Sequence, residues 1–536
     1  MIFTSNLAAL KKLLKRIRKF ASTKRQKGKI FENLALSFFR NEPYYKEEFP
    51  RARRYADWAE SQGLSGHEKG IDIASSIAGK FGSFCAIRCI FCSENSEIKK
   101  NKIENFLALS KKKEFIQGFI VTPGVLEPAA MAALAELAIP VTIIGTTALG
   151  NSLLDWSQYK LETGTTVLKG KKVFRPYQEK ALTNITQGLK KFDRGILVMA
   201  TGSGKTLISL RLAENILGLG RKVLYLVPSL TKLSQVLTEW TQESNIPIQS
   251  FPVGPDVVVD TINSEQDDDF IIKLQDLQYP AISAAKILAT TFNQRHNVAH
   301  LSVIFATYSS LDMLRRAQVA GLPELDLIIC DDAHRTAGSK TIEDRDEPSF
   351  VQVHDNTYIN AKKRLYMTAT PKIFTVTEKP SITDSTDTVV LYSMEEPETF
   401  GPIFHNFSYS EAINEKVLVD YKILIVTIDE RYINQNVKLI EDPDNSLMVT
   451  DAAKIVGSFR ALARHGLRED ITGAKIELAQ RAVVFCQIIE PFTGKKVKGK
   501  TYNKVSSKLV AKMFSEVVEN YLRKSDEPSW LRELKT

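Results

Sequence analysis

Cysteine and uninterrupted apolar sequence are both scarce in this chain of 536 residues. Only five cysteines occur, Cys85, Cys89, Cys92, Cys330 and Cys486. Their spacing offers no disulfide framework, which places the chain in a reducing compartment, expected to be the cytoplasm. Three of them are close together, but Phe84–Phe91 reads as a strand and supplies no fourth ligand, so a structural zinc is not expected. The longest apolar stretch, residues 118–150, is broken by Glu127, Pro128, Glu136 and Pro140, which excludes a membrane span. No secretory signal is visible, because the basic residues follow the first apolar stretch instead of preceding it. Internal repeats and low-complexity tracts are also missing.

What is present is an ordinary globular composition, 43% apolar and 25% charged, long enough for about three domains with their own cores. The net charge of +10 favours an acidic partner, nucleic acid foremost. Residues 1–30 hold ten Lys or Arg and no acid, with Leu7, Leu10, Leu14 and Ile17 at helical spacing. This predicts an amphipathic helix over 1–29 docked by its apolar stripe. Its other face is either a solvated basic surface or a contact for phosphates.

The chemistry is concentrated further on. Gly195-Ile196-Leu197-Val198 reads as a buried strand and Leu207–Ala213 as a helix; between them stands Met199-Ala200-Thr201-Gly202-Ser203-Gly204-Lys205-Thr206. Strand, Gly-rich loop and helix form the setting of a phosphate loop. Gly202 and Gly204 let backbone N–H groups turn toward phosphates, with Thr201 and Ser203 in the same loop. Lys205 would reach the β/γ oxygens, and the Thr206 hydroxyl would hold Mg²⁺. About 125 residues later, the apolar run Leu325–Cys330 ends in Asp331-Asp332-Ala333-His334. Asp331 is expected at the end of a strand beside the phosphate-loop strand, holding Mg²⁺ through water. Asp332 stands where a catalytic carboxylate would position the attacking water.

Further segments follow in register. Phe174-Arg175-Pro176-Tyr177-Gln178 is similar to an adenine-reading element, with Gln178 on the base. Val223–Ser229 and Ala306–Leu311 resemble segments that meet a DNA backbone, and Lys363–Pro371 resembles the segment that couples hydrolysis to domain movement. Together these motifs resemble superfamily 2 helicase-like ATPases of the Asp-Glu-Ala-His type. The resemblance implies a RecA-like lobe over residues 174–378, ATP and Mg²⁺ as cofactors, and Asp331, Asp332 and Lys205 as catalytic residues. Asp332 is one methylene shorter than the Glu of that box, and misplacing a general base by about an ångström can cost roughly a hundredfold in rate.

Residues 30–160 have their own α/β pattern: a helix around Phe31-Glu32-Asn33-Leu34, then strands near 70–73, 84–91, 115–122 and 139–144. This resembles an Mrr-like restriction endonuclease domain of the PD-(D/E)xK kind. In that family an Asp opening one strand and Glu/Gln-x-Lys on the next hold Mg²⁺ and activate water. Glu32 and Asp72 match, but Arg88 and Ile90 occupy the other two positions. Ile90 cannot polarise water and Arg88 would repel the metal. The expectation is a degenerate nuclease, with Lys99 or Lys100 as candidate substitutes. A polar linker is expected over 161–173.

Beyond Pro371, Phe404–Ala412, Val417–Val426 and the strand-like Arg481–Cys486 are assigned to a partial second RecA-like lobe, residues 379–536. The order of parts, including Asp155-Trp156-Ser157-Gln158-Tyr159 at the junction, resembles the front part of type ISP restriction-modification enzymes. The resemblance implies duplex DNA as partner and ATP-driven translocation. No Gln-x-x-Gly-Arg-x-x-Arg precedes Thr536 and no methyltransferase motif is present. These lead to the expectation of a truncated or split gene, with the missing motifs on a separate chain. A non-catalytic nucleotide- and DNA-binding remnant is the alternative reading.

Overall fold

The computed structural model describes residues 2–64, 70–94, 96–254, 279–340, 350–374, 390–420 and 455–459, with isolated positions 514 and 518. The chain divides into two compact units, residues 1–264 with 271–418, and residues 265–270 with 419–536. The expected strand Arg481–Cys486 lies outside the described residues, as does most of the second unit. No described helix is long and apolar enough to cross a membrane.

The first unit is α/β and, among the described residues, holds two large sheets beside two small two-stranded ones. The N-terminal sheet has five strands in the order Arg53–Arg54, Ile73–Ile77, Lys80–Cys89, Phe115–Val121 and Val141–Ile144. The first three run antiparallel to their neighbours and the last three pair in parallel. Four of these strands lie where apolar residues run in the sequence; the short Arg53–Arg54 edge has no such signal. Helix Lys24–Asn41 begins with a capping box, Thr23 accepting from the Gln26 N–H and Gln26 accepting in return, which satisfies two orphan donors. It buries Phe31, Leu34, Phe38 and Phe39.

The second sheet has seven strands, all parallel, in the order Ile248–Val253, Leu301–Thr307, Lys222–Val227, Leu327–Asp331, Arg364–Thr368, Arg194–Met199 and Ile403–Phe407. Both faces are covered, so the strands read as continuous apolar runs without alternation. Two sequence expectations are corrected. The Asp331 strand does not adjoin the phosphate-loop strand, because Arg364–Thr368 is inserted between them. Residues 403–407, assigned to a second lobe, instead form the edge of this seven-stranded sheet. Gly188 and Gly195 explain that placement: the Phe404 ring fills the space that a Cβ at either position would occupy, so only glycine admits it.

The two sheets are joined within one core. Glu48 of helix Pro43–Glu48 pairs with Arg295 at 2.5 Å, both side chains 9% exposed. Glu42 accepts from Gln242 Nε2 and from the Leu153 N–H, each at 2.8 Å. Tyr44 and Tyr45 pack on Tyr279. The expected linker is tied to the motor side, where the Lys172 N–H donates to Glu243 Oε2 at 2.7 Å.

Burial lifts the Glu42 carboxyl to about 7, against the two hydrogen bonds that lower it. An acid whose folded pKa is raised binds its proton more tightly when folded. Its contribution to stability is therefore full below the ordinary value of 4.5 and is lost as pH rises through about 7. Thermal denaturation from pH 5 to pH 8 should show that decline, and Glu42→Gln should flatten it. An unchanged slope in the variant would assign the pH dependence to another group.

Candidate functional site

The parallel sheet brings the C-terminal ends of its strands to one edge, where ligands bind in open α/β folds. Three of these ends form the candidate site. The phosphate loop leaves strand Arg194–Met199 and enters helix Lys205–Leu212 through Gly202 (φ 85°) and Gly204 (φ 93°). Gly204 is doubly constrained, since a Cβ there would also collide with Gln178 Nε2. Thr201 and Gly202 are exposed, Thr206 is half-buried, and Ser203 is buried with its hydroxyl on the Ala200 carbonyl at 2.6 Å. The free N–H groups of the loop and helix start make an anion-binding end.

Lys205 folds across this loop, donating to the Met199 and Ala200 carbonyls at 3.0 and 3.4 Å. Burial lowers its pKa, while Asp331 and Asp332 act in the opposite sense.

Asp331 ends its strand 1% exposed. Its Oδ1 accepts the Asp332 N–H at 3.1 Å, but its Oδ2 is buried without a hydrogen-bond partner among the described residues. Lys232 Nζ stands 3.6 Å from Oδ2, an ion pair with no hydrogen bond. Burial raises the Asp331 pKa, Lys232 lowers it and Asp332 raises it further. A buried carboxylate oxygen with no hydrogen-bond partner among the described residues suits a divalent cation such as Mg²⁺; Thr206, at the start of the phosphate-loop helix, is the other residue expected to hold it.

Asp332 has φ 51° and ψ 44°, in the left-handed region. Asp and Asn tolerate this conformation better than other non-glycine residues, because their short polar side chains interact locally. The backbone thus supplies a reason for Asp where the Asp-Glu-Ala-His box has Glu. The following residues form a short 3₁₀ turn, Ala333–Thr336, and His334 Nδ1 meets Thr368 Oγ1 at 3.1 Å. Burial lowers the His334 pKa, keeping the ring neutral, and Thr368 Oγ1 also accepts the Thr370 N–H. The strand inserted between the two motif strands is thereby tied to the acidic box.

Gln178 is placed at the loop, and its amide is largely committed there. Its oxygen accepts the Arg175 N–H at 2.9 Å and its nitrogen donates to the Ser203 carbonyl at 3.1 Å, leaving one N–H for a base edge. Tyr177 reinforces the contact, donating to the same carbonyl at 2.9 Å while stacking on Phe407 with centroids 4.7 Å apart. In Ala306–Leu311, Tyr308 and Ser310 are buried and only Ser309 is exposed among residues 306–310. Tyr308 donates to the Asp331 carbonyl at 2.7 Å, a supporting role the sequence did not reveal. Lys232 is a further site residue without a clear sequence signal; its only mark is its place one turn after the Val223–Ser229 strand and cap.

The N-terminal sheet holds a second cluster. Arg88 Nη1 contacts both Asp72 oxygens, at 3.0 and 3.1 Å, and the Cys89 N–H donates to Oδ2 at 2.7 Å. Arg88 therefore does not merely repel a cation; it occupies the carboxylate that would bind one. Glu32 lies near enough for Asp72 to add to the effect of burial in raising its pKa, and Lys29 is 3.8 Å from it. Ile90 is half-buried in the apolar core of this sheet. Lys99 and Lys100 are exposed, and no ion pair joins them to Glu32 or Asp72 among the described residues. Cys85 and Cys89 are buried free thiols, and no group of three metal-ligating side chains occurs among the described residues.

Comparison with known proteins finds a family match for each of the two domains. Residues 171–373 match the family model of the type III restriction enzyme res subunit, and residues 40–166 match a restriction endonuclease family model. The solved structure of the ATP-dependent type ISP restriction-modification enzyme LlaBIII bound to DNA is similar over 95% of this chain, with a TM-score of 0.73 and 29% identity. A probable helicase of African swine fever virus is 27% identical over 311 residues, 58% of this chain, and its counterpart in a second strain is 27% identical over 291 residues, 54% of it. The chain spans 31% of LlaBIII and 29% and 27% of the two viral proteins. None of these similarities bears out a separate partner chain.

If the Asp332 backbone carries left-handed strain, Asp332→Gly should leave stability within about 1 kcal/mol of wild type, whereas Asp332→Val should cost about 1–2 kcal/mol. Thermal melts of the two variants decide it; a larger loss with Gly than with Val contradicts the backbone reading.

Proposed function

We propose that this chain, which resembles the front part of type ISP restriction-modification enzymes, is an ATP-driven, duplex-DNA-directed motor whose attached nuclease domain does not cut. The observation that carries the motor reading is the convergence on one sheet edge of a complete phosphate loop and a buried, under-coordinated Asp331. ATP would lie with its phosphates on the N–H groups of residues 202–206, and Gln178 would offer its remaining N–H to the base. Lys205 would leave the Met199 and Ala200 carbonyls for the phosphate oxygens, exchanging neutral acceptors for charged ones. Asp331 and Thr206 would hold Mg²⁺, which when bound neutralises phosphate charge. Asp332 would orient the attacking water from a carboxylate one methylene short, which predicts slow turnover. His334 and Thr368 would pass the change at the acidic box to the adjoining strand.

For the nuclease domain, an Asp72 carboxylate bonded through both oxygens to Arg88, with Ile90 at the lysine position, has neither a free metal ligand nor a group to polarise water. Duplex DNA as the partner is supported by the DNA in the LlaBIII structure and by the net charge of +10.

Two measurements test the proposal. Wild type should bind ATP in a Mg²⁺-dependent way and hydrolyse it faster with duplex DNA, while Lys205→Ala should lose binding; equal binding by both would remove the phosphate-loop assignment. Supercoiled DNA should remain uncut by the wild-type chain. Arg88→Gln with Ile90→Lys should restore weak Mg²⁺-dependent nicking, abolished again by Asp72→Ala. Nicking by the unmodified chain that disappears in Asp72→Ala would show a working nuclease.

A further inference from the structure

The N-terminal helix Ile2–Phe20 takes no part in the site described above, yet it is firmly docked on the first unit. Leu10, Leu13, Leu14 and Ile17 are at most 2% exposed. Asn6 donates to the Gly150, Ser152 and Leu154 carbonyls and accepts the Trp156 N–H, fixing one end to the junction segment. Arg18 fixes the other end, donating to the Cys92 carbonyl at 3.0 Å while lying over the Phe91 ring, just past the Arg88 strand.

The opposite face is exposed and cationic. Lys11, Lys12, Lys15, Arg16 and Lys19 all face solvent, and Lys24 and Arg25 continue the band into the next helix. Lys11 pairs with Glu94 at 3.3 Å; among the described residues no ion pair is made by Lys12, Lys15, Arg16, Lys19, Lys24 or Arg25. The first acid in the chain is Glu32. Holding so many like charges on a rigid helix without counter-ions is unfavourable unless an anion neutralises them.

We infer that this face is a phosphate-backbone contact for duplex DNA, separate from the motor's own path, and that it carries no sequence preference. Positions 11, 15 and 19 form one row and 12 and 16 its neighbour. Four residues advance a helix by about 6 Å, a spacing on the scale of the distance between neighbouring phosphates of one strand. The charges of one row can thus meet neighbouring phosphates. An amphipathic basic helix also suits an anionic membrane, but here the apolar side that would insert is already spent on the protein core, so DNA is favoured. The inference rests on the duplex-DNA reading of the motor and adds a second surface to it.

The test compares the full chain with Lys12→Gln/Lys15→Gln/Arg16→Gln/Lys19→Gln. A charge-matched control carries Lys99→Gln/Lys100→Gln/Lys111→Gln/Lys113→Gln, altering exposed lysines elsewhere in the same domain. Affinity for a duplex of mixed sequence is measured from low to moderate salt, with ATP binding and melting temperature confirming that each variant is folded. The helix variant should lower the slope of log K against log salt by about 0.9 for each phosphate no longer neutralised, or roughly 3.6 for all four, and weaken binding at low salt at least tenfold. The control should keep the wild-type slope. Equal effects in both variants would reduce the result to net charge and overturn the inference. A wild-type slope in the helix variant would overturn it while leaving the motor reading intact, and no duplex binding by wild type would overturn both. Weaker binding to anionic phospholipid vesicles with duplex binding unchanged would reassign the face to a membrane surface.

Discussion

A carboxylate oxygen buried without a donor is costly, and Asp331 Oδ2 is such an atom. The sheet holds it there. Asp331 ends a central strand, the Tyr308 hydroxyl fixes its carbonyl, and the left-handed turn at Asp332 carries the chain away at once. Lys232 offsets part of the cost from 3.6 Å. The phosphate loop, the His334–Thr368 contact and the position of Lys205 all lie around this carboxylate. Keeping an acceptor only partly compensated at such a place suits a position where a cation and a polyphosphate would bind.

The N-terminal domain makes the opposite arrangement. Asp72 stands just before its strand Ile73–Ile77, where Asp331 closes its own, and its oxygens are satisfied by Arg88 and the Cys89 N–H. One carboxylate is left open and the other closed by one guanidinium nitrogen, Arg88 Nη1, and that difference separates a site suited to a metal from a site turned into an ion pair. The closed pair still has a structural use, because it ties the ends of two strands whose neighbours pack toward the motor through Glu42, Glu48 and the tyrosine cluster.

Much of this was legible in the sequence because the deciding residues act locally. Gly202 and Gly204 mark backbone turns that few other residues make, and the apolar runs before Met199 and Asp331 are the signature of strands buried on both faces. Arg88 and Ile90 were legible as departures from a local pattern. Strand order was not: nothing in the residues themselves tells that Arg364–Thr368 enters between the Asp331 strand and the phosphate-loop strand, or that Ile403–Phe407 joins the same seven-stranded sheet. Both depend on contacts between distant segments, the second on the Phe404 ring meeting Gly188 and Gly195. Lys232, Tyr177 and Tyr308 were hidden for the same reason, since each acts on a group far away in the chain. Gln178 was legible as a site residue, but its engagement with Ser203 emerges only from the fold.

On the proposed reading, Asp331 would be held at a cost in stability for the sake of a bound cation. The most direct test is the melting temperature of wild type and Asp331→Asn, each alone, with ATP plus EDTA, and with Mg-ATP. Asn keeps the Oδ1 acceptor and removes the buried charge, so the variant should melt higher than wild type without nucleotide. Only wild type should gain a further rise from Mg²⁺ over ATP alone. A variant that melts lower than wild type without nucleotide, or that keeps the full Mg²⁺ increment, would contradict the account.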